Sequence, residues 1–176
     1  SKFNVTNRWN SKKVKGVGSV YLIDQRKHKQ YKNGNIGYLW RIDSGDGRYY
    51  LSGAALSAVL GAMCSLGYAE YTGSGFSCKD GSPGDSVSHL NGENGDFRYI
   101  AINNRHMNEL TYTSHKHFDW DKNVGFLNAL YKFGYKLFGS NPVKIKENKL
   151  LPHSKSWSGH NNHVHLHNFN PNLEDI

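Results

Sequence analysis

Residues 52–68 read SGAALSAVLGAMCSLGY, and their periodicity decides how the fold begins. Leu56, Val59, Leu60 and Met63 recur at the spacing of one helix face. Ser52 stands where a hydroxyl can cap the helix start, and Gly67 where helices end. The spacing predicts a buried helix, far shorter than the run of about 20 apolar residues that crosses a bilayer. Upstream, residues 17–23 (VGSVYLI) and 36–42 (IGYLWRI) read as strands, the second closed by the turn Ser44-Gly45-Asp46-Gly47. Downstream, residues 71–86 (YTGSGFSCKDGSPGDS) are dense in Gly, Ser and Asp, which predicts a surface loop leading to His89. Residues 98–102 (RYIAI) alternate like a strand. Residues 121–138 carry Phe126, Leu127, Leu130, Phe133, Tyr135 and Leu137 on the broad apolar face of a second helix, capped by Asp119 or Asp121 and ended by Gly139 and Pro142. Short strands are expected around 143–146 and 163–167. These elements predict an α+β fold, a small, mainly antiparallel sheet with two principal helices, in a single domain over residues 1–176.

Lys and Arg number 22 against 14 acidic residues, so the formal charge of +8 favours a partner carrying negative charge. Nucleic acid, anionic lipid and a carboxylate-rich wall polymer all qualify. The basic residues are dispersed apart from Lys12-Lys13 and Arg26 to Lys29, which argues against a nucleic-acid arm. Two cysteines, Cys64 and Cys78, are too few for a disulfide scaffold and lack zinc-ribbon spacing; one bridge or two half-buried thiols are both compatible with them. The sequence starts at Ser1 with no basic-then-apolar signal segment, as a mature form or an excised domain would.

Five of the ten histidines fall between His153 and His167. In the stretch His160-Asn161-Asn162-His163-Val164-His165-Leu166-His167, strand geometry puts His163, His165 and His167 on one face, with Val164 and Leu166 anchoring the other. A metal on the histidine face could meet two imidazoles. A catalytic zinc site takes three protein ligands and keeps a position for water, so a further donor is needed. The best source is the stretch from Ser86 to Asp96, where Gly92 and Gly95 allow a turn that brings His89 and Asp96 together. Two histidines and one aspartate leave such a site positive, enough to acidify water and polarise a peptide carbonyl.

The order His-x6-Asp and then, far downstream, His-x-His resembles that of the metallopeptidases grouped with lysostaphin, the D-Ala-D-Ala peptidases and the hedgehog signalling domain. The Ser-His-x-x-Gly-x-x-x-Asp form at Ser88 to Asp96 and the His-x-x-His-x-His form at His160 to His165 are most similar to penicillin-insensitive murein endopeptidases. The resemblance implies that His89, Asp96 and His165 ligate zinc, that His163 acts as general base or transition-state stabiliser, and that His160 assists it. It implies hydrolysis of the D-alanyl–diaminopimelate cross-link of peptidoglycan by metal-activated water, with D,D-carboxypeptidase action as the alternative within the group. The chain departs from the pattern at Ser86, where a histidine is expected three positions before the first ligand, and at Asn94; both argue against a second metal site.

Other readings give these residues duller roles. The second His-x-His, His115-Lys116-His117, has no evident partner, and Asp119 and Asp121 suit helix capping better than catalysis. Trp157, Tyr99 and Arg98 could line a groove or serve as core and ion-pair residues. A metal-dependent nuclease would also suit a basic surface with clustered histidines but leaves His89 and Asp96 unexplained, and a non-catalytic metal module would more often close its site with four ligands. The expected setting is a monomer without a membrane span or nucleic-acid partner. It would be secreted or delivered to the bacterial periplasm or cell wall, act on peptidoglycan as an antibacterial effector or lysin, and, as an effector, be matched by an immunity protein.

Overall fold

Ser52 ends one strand and starts a helix, its hydroxyl accepting from the Ala55 N–H at 3.1 Å. The computed structural model, which describes residues 2–4 and 19–171, orders the chain around this point. Before it come strands β1 (Lys2–Asn4), β2 (Ser19–Asp24), β3 (Gln30–Asn33), β4 (Ile36–Ile42) and β5 (Tyr50–Ser52). After it come helix α1 (Gly53–Ser65), β6 (Ala69–Gly75), β7 (Gly95–Arg98), α2 (Trp120–Lys132), β8 (Tyr135–Ser140), β9 (Ser154–Ser156) and β10 (His163–Phe169). Val17, Gly18 and the Lys12-Lys13 pair lie outside the described residues.

The architecture is α+β and mainly antiparallel, but the sheet is not the small one the sequence predicts. Seven strands run in the order β3-β4-β6-β7-β10-β8-β9, and β1, β2 and β5 form a separate three-stranded sheet. Among the described residues, only β4–β6 and β8–β9 pair in parallel. Two segments expected elsewhere enlarge the main sheet. Residues 71–75, expected in a loop, form most of β6, because small residues there make room for the rings of Trp40 and Phe76, which pack over Gly73. Residues 135–138, expected at the end of the second helix, lie in β8. That helix stops at Lys132, and Gly134, at φ +121° and wedged against Pro171, turns the chain back into the sheet.

Two further segments depart from the strands expected of them. The strand expected at 98–102 ends at Arg98 and begins at Gly95, and Ile102–Met107 coils into a 3-10 turn. The strand expected at 143–146 is a 3-10 turn over Lys144–Lys146, joined to the chain beyond it by the pairing of Val143 with Lys149. Asp119 rather than Asp121 caps α2, its carboxylate accepting from the Lys122 N–H at 3.1 Å.

One core lies between the sheet and the two helices. Phe97 of β7 stacks on Trp40 and meets Phe126 of α2 edge-on with ring centres 5.2 Å apart, and Tyr71 leans on Phe126 at 4.7 Å. Val164 and Leu166 of β10 point into the same core and are buried. Because side chains alternate along a strand, burying Phe97, Val164 and Leu166 forces Asp96, Arg98, His163 and His165 onto the opposite face. The register completes the arrangement, setting Asp96 opposite His165 and Arg98 opposite His163. No helix among the described residues is long and apolar enough to cross a membrane. Cys64 and Cys78 are unpaired and half-buried.

Candidate metal centre

Three side chains meet on that face. His165 Nδ1 lies 2.8 Å from Asp96 Oδ1, His89 Nε2 lies 3.1 Å from the same oxygen, and the two ring nitrogens are 3.2 Å apart. Two of the three come from facing strands, so the sheet itself sets their separation. The third, His89, arrives on the loop between β6 and β7. Ser77, fully buried, ties that loop down: its hydroxyl donates to the His89 carbonyl at 2.7 Å and accepts the Gly92 N–H at 2.6 Å. Gly92, at φ +71°, passes so close to the backbone of Ser52 and the side chain of Leu22 that a Cβ would collide with both. His89 and His165 are almost wholly buried and their rings stack nearly parallel, 5.0 Å apart.

The outer partners of the two rings determine what they offer. His89 Nδ1–H donates to the Phe76 carbonyl at 3.2 Å, which leaves the Nε2 lone pair facing Asp96. Ser88 Oγ stands 3.0 Å from His165 Nε2 and accepts its N–H when Nδ1 serves as a ligand. Burial alone would raise the Asp96 carboxyl, but the adjoining imidazoles outweigh it and hold the group well below the usual carboxylate range, so it is ionised. A carboxylate oxygen and two lone pairs thus crowd a space about 3 Å across. A single proton can join two of them; a cation at the centre satisfies all three. A tetrahedral ion with ligand bonds of about 2.0–2.1 Å has edges of about 3.3 Å, close to the spacing seen. Donor set and geometry fit a metal ion, and among the described residues this is the one convergent group of three His, Cys, Asp or Glu side chains.

Half-exposed rings form the rim. His163 Nδ1 lies 2.7 Å from Asn162 Oδ1, an arrangement in which Nδ1–H donates to the amide oxygen and Nε2 turns toward Asp96 Oδ2, 3.9 Å away. Burial pushes the His163 imidazole down to about 4, against the pull of Asp96, so it is neutral near pH 7. The ring of His160 lies 4.8 Å from that of His163, and Trp157 stands 5.6 Å from His160 and 5.7 Å from His165. His167, on the same face, turns aside to Asn94, whose amide lies 3.3 Å from its Nδ1 and donates to the Ser88 carbonyl at 2.9 Å.

The chain therefore brings together all five residues singled out in sequence, His89, Asp96, His160, His163 and His165. His115 and His117 touch each other at 3.1 Å, with Glu109 3.9 Å from His117 but held by Arg105 at 2.5 Å. Of the three neighbours with two readings, Trp157 faces the site and Arg98 pairs with Asp43 at 3.2 Å. Tyr99 is buried and donates from its hydroxyl to the His160 carbonyl at 2.7 Å, which fixes the loop carrying that ring. The supporting contacts of Ser88, Asn94 and Asn162 are not legible in the sequence, although each lies within or beside the motifs. The Phe76 carbonyl carries no sequence signal at all, since any residue supplies one. No family model and no curated protein matches the chain.

Proposed function

We propose that this chain is a zinc-dependent hydrolase of the peptide cross-links in bacterial cell walls, a D,D-endopeptidase for the D-alanyl–diaminopimelate bond working in the periplasm or wall. The observation that carries the hydrolase reading is the convergence of His89 Nε2, Asp96 Oδ1 and His165 Nδ1 at 2.8–3.2 Å, with the neutral His163 3.9 Å from the same carboxylate. The substrate class rests on the resemblance of the two motifs. Zinc is proposed because two imidazoles and one carboxylate at tetrahedral spacing suit it. Bound there, the ion would supply an acidified water and a positive charge at the scissile carbonyl oxygen.

The remaining work falls to the chain. Asn162 presents His163 as a neutral base with Nε2 toward the site, able to take a proton from the attacking water and return it to the departing amine. His160 extends the polar rim beside it, and Trp157 offers an apolar wall for the substrate's methyl groups. The test is mass spectrometry of cross-linked peptidoglycan after treatment with wild type, His165→Ala, and wild type with chelator. Conversion of dimeric to monomeric muropeptides by wild type alone supports the proposal. Loss of a terminal D-alanine instead would make the enzyme a carboxypeptidase, and an unchanged profile would end the wall-hydrolase reading.

A further inference from the structure

Arg98 is the cross-strand partner of His163, as Asp96 is of His165, and the two pairs lie next to each other on one face of the sheet. Partners in an antiparallel pair bring their Cβ atoms within about 4.5–5.5 Å. The Arg98 side chain is 17% exposed, so it is largely enclosed by protein while keeping some contact with solvent. Asp43, 49% exposed, engages Nε and Nη2, both through Oδ2 at 3.2 Å, and Nη1 has no partner among the described residues. A guanidinium held on one edge with donors left over is suited to grip a second carboxylate.

On the peptidase reading proposed above, on which this inference rests, His163 returns a proton to the departing nitrogen, so the residue supplying that nitrogen must lie beside His163. Its α-carboxylate is one carbon removed from that nitrogen, and Arg98 is the cationic side chain paired with His163 across the two strands. We propose that Arg98 binds a free α-carboxylate on the amine-side residue of the substrate, making it a specificity residue for peptides whose scissile amide is followed by an unblocked acid.

Two measurements separate this proposal from the peptidase reading. Muropeptide cleavage tests the reaction. Binding is tested by calorimetry of the zinc-loaded protein with an uncleavable reduced-bond (CH2–NH) isostere of N-acetyl-D-alanyl-D-alanine, offered as the C-terminal acid and as the amide. Wild type is expected to favour the acid by about tenfold or more, the scale of a charge-assisted contact. Arg98→Gln should reduce that ratio to about one, and Asp43→Asn, which removes the ion pair but keeps the arginine, should preserve or increase it. Acid preference lost only in Arg98→Gln supports the proposal even if no muropeptide is cut. Cleavage with equal binding of acid and amide, or an acid preference that survives in Arg98→Gln, overturns it and leaves the peptidase reading in place. Binding of neither probe together with no cleavage overturns both.

Discussion

Asp96 and His165 are register partners on adjacent antiparallel strands, and their side chains meet at 2.8 Å on the face opposite the core. Backbone hydrogen bonds thus set the spacing of two candidate ligands before any ion arrives, and the buried Phe97, Val164 and Leu166 prevent the strands from slipping. Calorimetry with zinc should find one site in the wild type, weakened at least a hundredfold in Asp96→Ala and His165→Ala. The same ion should raise the melting temperature of the wild type and leave that of the variants unchanged. Equal zinc affinity in all three proteins would show that the trio does not hold the ion.

Ser88 lies behind His165, and Asn94 holds the Ser88 backbone in place. Outer hydrogen bonds of this kind orient a ligating imidazole, and losing one typically costs a factor of about 10–100 in metal affinity. Ser88→Ala should show a loss of that size by chelator competition, and Ser88→Thr, which keeps the hydroxyl, should recover most of it. Unchanged affinity in Ser88→Ala would mean that packing against His89 and Trp157 is enough to orient His165.

His163 should matter for turnover and not for metal. His163→Gln is expected to bind zinc as the wild type does while kcat falls by about 10²–10⁴, the usual share of a general base. Because burial holds the imidazole down to about 4, the neutral form persists well below the ordinary histidine range. The acid limb of kcat/KM should therefore lie nearer pH 4 than 6.5, with activity lost as pH falls through it. A limb near 6.5 would show that His163 is solvated in the working enzyme.

The parts legible in the sequence were those with a strict period or spacing. His163-Val164-His165-Leu166-His167 alternates without exception, so its two faces could be told apart, and the capped apolar run of α1 had one reading. β6 is not legible in the sequence because Thr72, Gly73, Ser74 and Gly75 have loop composition. Their place in the sheet depends on Trp40, distant in sequence, and on Phe76 filling the space that small side chains leave. β8 is hidden in the sequence because Phe133 to Leu137 continues the apolar pattern of α2, and the change of period rests on the backbone of Gly134. The candidate ligands were visible because their chemistry is rare. Their supports were not, since a serine or asparagine at any position can be merely solvated, and only the fold shows that Ser88 and Asn162 reach the rings of His165 and His163.

His106 makes stability depend on pH away from the candidate metal centre. It is 3% exposed; Nδ1 accepts the Ala101 N–H at 3.1 Å, and Nε2–H donates to the Glu70 carbonyl at 3.0 Å, joining β6 to the chain beyond β7. Burial is the main cause that lowers its pKa in the folded protein, with Lys122 adding to it and Asp119 opposing it. A second proton would also put an N–H against the Ala101 N–H. The unfolded chain takes up that proton near pH 6.5 and the folded chain does not, so stability falls as pH drops below that value, until the folded ring itself protonates. Where only the unfolded form is charged, the slope reaches about 1.4 kcal/mol per pH unit. His106→Gln removes this titration while leaving every other group in place. It should be less stable than wild type at pH 7, and the gap should narrow steadily toward pH 5 in urea-unfolding midpoints. A gap that stays constant over that range would mean His106 takes up its proton equally in the folded and unfolded protein.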